Sequence, residues 1–185
     1  MRWISFTAFA CALGCLPGSG DDDLPGELVG EFEALGTMVE QSCGAAVPAP
    51  DPIELAFEVR LEESGRAYYR LFGGQTFAGT ETQDEFTFQA SQSTVVIQPN
   101  QFQGLVGCTI TQRDIFRFTL EEPEDDTSLE VDEEADPPLT TLIGSQVTEM
   151  DPVAGSDCRA ALAAFGGTFQ ALPCRIEYVL TGTEL

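Results

Sequence analysis

From Ile53 to Glu62 the chain alternates without interruption: Ile53, Leu55, Phe57, Val59 and Leu61 stand against Glu54, Ala56, Glu58, Arg60 and Glu62. Successive side chains of a strand point to opposite faces, so this period of two predicts one face in a core and one in water. Glu63-Ser64-Gly65 is a turn signal, after which Ala67, Tyr69 and Leu71 resume the alternation. Residues 53 to 72 therefore read as a hairpin closed by a glycine-containing loop.

The same reading predicts strands over 76–80, 85–90, 93–98, 105–112, 115–120, 140–148 and 174–182. A further strand covers 28–42, where the apolar phase shifts near Gly36 and suggests a bulge or sharp bend. One helix is expected: Ser156 or Asp157 caps it, Ala160, Ala161, Leu162, Ala163 and Ala164 favour it, and Gly166-Gly167 ends it. Eight to ten short strands in near-sequential order imply a mainly β domain, an antiparallel meander closed into a barrel so that no edge stays exposed. A β-sandwich is the alternative. Strands, a late helix and one last strand resemble the order of lipocalin-like barrels, and Gly30-Glu31-Phe32 stands where that family has Gly-x-Trp in its first strand.

Charge excludes whole classes of partner. The 31 acidic residues outweigh 8 basic ones for a net charge of −23, every basic residue is an arginine, and histidine is absent. Dispersed arginines in so negative a field cannot replace the counterions of a phosphate backbone, so nucleic acid is not a partner. The folded surface is equally unsuited to anionic headgroups, and no internal run reaches the roughly 18 apolar residues of a spanning helix. Attachment to a membrane then falls to the N-terminus.

Met1 and Arg2 make a short positive region, and Trp3 to Leu13 an apolar run too short to span a bilayer but right for the core of an export signal. Ala12-Leu13-Gly14-Cys15 follows and resembles the bacterial lipobox, with Ala12 and Leu13 in the reverse of the usual order. Ala8-Phe9-Ala10 before Cys11 offers a second cleavage site with a much shorter core. The resemblance implies a signal peptide over 1–14, diacylation of Cys15 as the first mature residue, and anchoring to the cell envelope. Leu16 in place of Asp after the cysteine implies the outer membrane of a two-membrane cell; secretion or a periplasmic location is the alternative. Residues 15–26, rich in Gly, Pro, Ser and Asp, form a flexible linker, and 27–185 the single β domain. Within it, 121–136 carries ten acidic side chains in sixteen and runs into Pro137-Pro138, a solvated loop over 121–138.

Cys43, Cys108, Cys158 and Cys174 remain, an even number in an exported chain, and imply two disulfides with three possible connectivities. Cys158 opens the expected helix and Cys174 the last strand, so Cys158–Cys174 would staple them and Cys43 would meet Cys108. Metal or redox chemistry is the weaker alternative, because no C-x-x-C and no histidine completes a zinc set.

Without histidine or lysine the usual base of serine and cysteine nucleophiles, Schiff bases, P-loops and imidazole ligation are all missing. Glu31 with Glu33, or Glu54 with Glu58, could serve glycosidase-type roles, but their alternation with apolar residues places them on a solvent face. The acidic loop could attract calcium, yet read as an EF-hand from Asp125 it has Leu129 at the fifth position and Glu130 where glycine is needed. The aromatic set Phe57, Tyr69, Phe86, Phe88, Phe116, Phe118 and Tyr178 could line a cavity for an apolar ligand, but core packing explains the same residues without a ligand and is the preferred reading. Arg60, Arg66, Arg70, Arg113 and Arg117 suit pairing with surface carboxylates, or an anionic ligand. The expectation is a lipid-anchored, non-enzymatic binding or structural domain without cofactor or metal, its protein or small-molecule partner unidentified. A carrier of a small apolar ligand is the alternative, and a carboxylate-based hydrolase a distant one.

Overall fold

The computed structural model describes residues 24–72, 74–100, 102, 104–122 and 139–185. The expected signal peptide, Cys15, most of the linker and most of the acidic loop lie outside them. Eight antiparallel strands follow one another around a closed barrel: β1 (Glu27–Gln41), β2 (Ile53–Leu61), β3 (Arg66–Leu71), β4 (Thr76–Thr82), β5 (Glu85–Ile97), β6 (Cys108–Glu121), β7 (Thr141–Pro152) and β8 (Cys174–Glu184). The ring closes because β1 is long enough to pair twice, its first part with β2 and its second with β8. The sandwich alternative is thereby set aside.

Alternation along each strand builds the core. Phe32 and Ala34 of β1, Phe57 and Val59 of β2, Ala67 and Tyr69 of β3, Phe86 and Phe88 of β5, Phe116 and Phe118 of β6, Leu142 of β7 and Tyr178 and Leu180 of β8 are buried on the inner face. Burying each large side chain contributes about 1.5–3 kcal/mol before conformational entropy is subtracted. The β4–β5 turn is as tight as a hairpin allows, with Gln83 and Asp84 both at positive φ, the backbone of a two-residue turn matched to strand twist.

Four expectations need correction. The separate strands over 85–90 and 93–98 are one strand, β5, and those over 105–112 and 115–120 are one strand, β6. Polar Ser91 and Gln112–Asp114 suggested breaks, but neither stretch holds a glycine or proline to make one. The ladder of β1 shifts at Leu28/Gly30 and at Met38/Glu40 rather than at Gly36. Gly36 lies on the inner face, where an added Cβ would stand 2.5 Å from Ile53 Cγ1 and 2.8 Å from Leu180 Cδ2, so glycine there serves close packing.

The expected helix is two single 3-10 turns, Arg159–Ala161 and Ala163–Phe165. Leu162 between them is extended, and Phe169 takes the backbone groups a helix would need: its N–H donates to the Ala161 carbonyl and its carbonyl accepts from Ala163 N–H. High propensity over five residues cannot outweigh that bridge, since a helix nucleus is costly.

The disulfides are Cys43–Cys174 and Cys108–Cys158, not the pairing expected from proximity in sequence. Gln41 pairs with Ile176 at the end of the β1–β8 ladder and Ser42 N–H donates to the Arg175 carbonyl beyond it, which sets Cys43 and Cys174 opposite each other two residues further on, their Cα atoms 4.9 Å apart. The loop after β7 lies along the start of β6, where Val153 N–H donates to Thr109 and Asp157 N–H to Gly107, and this delivers Cys158 to Cys108. Two disulfides suit a chain that folds in an oxidising compartment.

Both disulfides gather at one end of the barrel with the loops 42–52 and 153–173, whose Val47, Ala161 and Phe169 join the core. Leu24 to Gly26, the turns after β2 and β4, the end of β6, the start of β7 and the C-terminus occupy the opposite end.

Non-reducing peptide mapping should recover the 43–174 and 108–158 pairs and no 158–174 peptide. Replacing Cys43 and Cys174 together by serine reopens a loop with a sequence separation of 131, and chain entropy gives a cost of about 4–5 kcal/mol, read from the urea midpoint.

Candidate functional site

Inside the barrel, β-sheet periodicity turns the aromatic rings onto one another. Phe57 lies 4.9 Å from Tyr69, 5.5 Å from Phe116 and 6.1 Å from Phe118, centroid to centroid. Phe86 stacks on Phe118 at 5.0 Å, Tyr69 meets Phe116 at 4.9 Å, and Phe88 lies 6.1 Å from Phe118. The sequence grouped six of these rings; the structure adds Phe32, 5.9 Å from Phe57, and Phe77, stacked on Tyr69 at 5.6 Å. Each such pair is worth about 0.5–1.5 kcal/mol beyond its buried area. Tyr178 shares the inner face, but its hydroxyl reaches the end of the barrel and donates to the Pro50 carbonyl at 2.8 Å.

Above the aromatic layer is a polar seam that composition did not reveal. Asp114 on β6 accepts from the Thr148 hydroxyl at 2.6 Å and from Gln112 Nε2 at 2.9 Å. Gln112 and Asp114 continue the phase of Phe116 and Phe118, so their inward direction was legible in the alternation. Tyr69 and Tyr178 both hold their protons beyond the ordinary tyrosine range, Tyr69 through burial and Tyr178 through burial with the charge of Asp51 added.

The outer wall carries the charges. Glu31, Glu33 and Glu54 are exposed there, as their alternation predicts. Glu58 departs from that reading: it faces outward yet is only 4% exposed. Its Oε2 accepts from Arg70 at 2.8 Å across the β2–β3 ladder and its Oε1 from Arg60 Nε at 3.2 Å. The Arg60 guanidinium also reaches the carbonyls of Leu24 and Gly26, at 3.4 and 3.5 Å, and so ties the incoming chain to the wall. Both carboxylate oxygens of Glu58 are thus occupied by structure, and Glu58 and Glu54 share no cleft.

A second cluster joins β6, β7 and β8: Arg113 holds Glu149 at 2.7 Å and Arg175 holds Glu177 at 2.7 Å. Arg66 keeps its charge more firmly through Tyr68 and Glu62, while Arg117 is exposed. Asp157 is drawn down to about 2 by its hydrogen bonds from Arg159. Among the described residues no three acidic or cysteine side chains converge as a metal site would require.

A hollow lies on this outer wall, a broad open depression of about 790 Å³ across β1, β2, β7 and β8. Leu35, Ala56, Thr141, Thr181 and Thr183 line it beside the carboxylates of Glu33 and Glu54. Hydroxyls and carboxylates around an exposed leucine suit contact with another surface better than enclosure of a small molecule.

Glu58→Ala leaves two guanidiniums without their shared partner and should cost about 2–3 kcal/mol of unfolding free energy, whereas exposed Glu54→Ala should stay within about 0.5 kcal/mol. For the tyrosines, a folded value raised above the unfolded 10.0 stabilises fully below that pH and is lost as pH rises through the folded value. The urea midpoint should therefore fall above about pH 10, and less steeply in Tyr69→Phe.

Compared with known proteins, the chain matches no family model, no curated protein and no solved structure.

Proposed function

We propose that this protein is a lipid-anchored component of the cell envelope, held at the outer membrane through Cys15, whose barrel is a non-enzymatic binding or structural domain. The observation that carries the reading is the ring-to-ring packing of Phe57, Tyr69, Phe86, Phe88, Phe116 and Phe118. Side chains that fill one another's space leave recognition to the outer wall and the two ends.

The route of the chain supports the anchor. Arg60 fixes Leu24 and Gly26, so the tether from Cys15 to the barrel is short, at most about 30 Å when fully extended. It would present to the membrane the end that holds Glu62, Glu63, Asp84 and Glu122. Carboxylates facing anionic headgroups hold the domain off the surface, while acyl chains worth about 0.8 kcal/mol per buried methylene keep it from leaving. The two disulfides belong with export.

Mass spectrometry of protein extracted from membranes should give a mature N-terminus at a diacylated Cys15, and Cys15→Ser should move the protein to the soluble fraction. Any other mature N-terminus overturns the anchor. Native mass spectrometry of the same material should show the polypeptide mass alone; a stoichiometric apolar molecule would favour the carrier instead.

A further inference from the structure

β5 and β6 pair over nearly their full lengths, from Glu85↔Thr119 to Ile97↔Cys108. On its other side β5 meets β4 only from Glu85 to Phe88, because β4 ends its ladder at Gly79. The second half of β5 therefore has a strand neighbour on one side only, among the described residues. Such an edge offers a row of backbone donors and acceptors to any extended chain, and proteins ordinarily guard it with charge, proline or brevity.

This edge is unguarded. Gln89 to Ile97 contains no proline, glycine or charged residue, and ends in the β-branched run Thr94, Val95, Val96 and Ile97. Ser91 to Val96 are exposed, Val95 by 46% and Val96 by 37%. The neutrality extends over the distal part of the hairpin: no charged residue occurs from Phe86 to Gln112 in a chain whose net charge is −23.

We propose that this edge pairs antiparallel with the same edge of a second copy, joining two barrels through one continuous sheet about a two-fold axis near Ser93. An antiparallel pair of identical segments is self-complementary, which a two-fold contact requires. In that register Val95 of one copy lies opposite Ser91 of the other. Charge selects the place: two bodies each carrying −23 repel over most of their surfaces, and the uncharged stretch of the hairpin from Phe86 to Gln112 is where they can approach. The ladder shift between Val95 and Ile97 ends the regular edge and limits slippage. The hairpin projects from the end opposite the chain entry, so the contact does not obstruct a tether.

The electrostatic argument has a distinctive consequence. Raising salt shortens the screening length from about 10 Å at 0.1 M to about 3 Å at 1 M, so association should tighten with salt. Sedimentation equilibrium of the full-length protein, density-matched for any bound detergent, should show a monomer–dimer equilibrium that shifts to dimer as salt rises. Val95→Glu sets like charges beside the axis and should weaken the dimer by at least about tenfold. Val179→Glu, at a comparably exposed valine (43%) on β8, should leave it unchanged. In the unaltered protein, hydrogen exchange at the amides of residues 91–95 should slow with concentration, a readout that needs no variant to fold. A monomer at every salt and concentration overturns the proposal. So does a dimer that survives Val95→Glu, or one lost instead on replacing the exposed tip residue by Phe102→Ser.

Discussion

The contact on which most of this structure depends is the ladder between the first and last strands. β1 must serve two neighbours separated by nearly the whole chain, Ile53–Leu61 on one side and Cys174–Glu184 on the other. When it does, the alternating inner faces of eight strands become one enclosed surface, and rings distant in sequence meet, Phe32 and Phe118 each coming within about 6 Å of Phe57. The loop-closure entropy of such a contact is high, and two features offset it: the enclosed aromatic area, and the Cys43–Cys174 bridge two residues beyond the ladder's last pair.

Closure also decides where charge can go. With the inside given to apolar and aromatic residues, nearly all the carboxylates of an acidic chain must share the outer wall and the ends. The few arginines are placed where crowding is greatest: Arg60 and Arg70 on Glu58, and Arg113 and Arg175 around Glu149. Asp114 on the inner face is held by an amide and a hydroxyl. Hydrogen bonding of this kind lets a carboxylate sit within a wall at modest cost. The hairpin of β5 and β6 is uncharged from Phe86 to Gln112, and among the described residues the second half of β5 has a strand neighbour on one side only.

Much of the fold was legible in the residues. The β2–β3 hairpin announces itself through Ile53–Glu62 and Ser64-Gly65, and the inward direction of Phe86, Phe88, Phe116 and Phe118 follows from spacing alone. What failed did so for identifiable reasons. The polar residues in the middle of β5 and β6 looked like ends of strands, because alternation weakens where a strand leaves the core. The alanine-rich run after Cys158 looked helical, because propensity is local and the bridge to Phe169 is not. Glu58 looked solvated, because nothing in the sequence shows that Arg70 lies beside it across the ladder.

The sequence by itself determined that the chain is mainly β with one buried face, that its net charge is strongly negative, that histidine and lysine are absent, and that four cysteines suit two disulfides. Those properties follow from composition and from the two-residue repeat of an extended backbone, which need no knowledge of neighbours. Which cysteines pair, which carboxylate is buried and which strand edge stays open were decided only by the tertiary structure. Each depends on strand lengths and register: β1 must reach β8 to bring Cys43 to Cys174, β3 must lie beside β2 to cover Glu58, and the β4 ladder must stop at Phe88 to leave the second half of β5, among the described residues, with a strand neighbour on one side only. Register is a property of pairs of strands, and no single segment carries it.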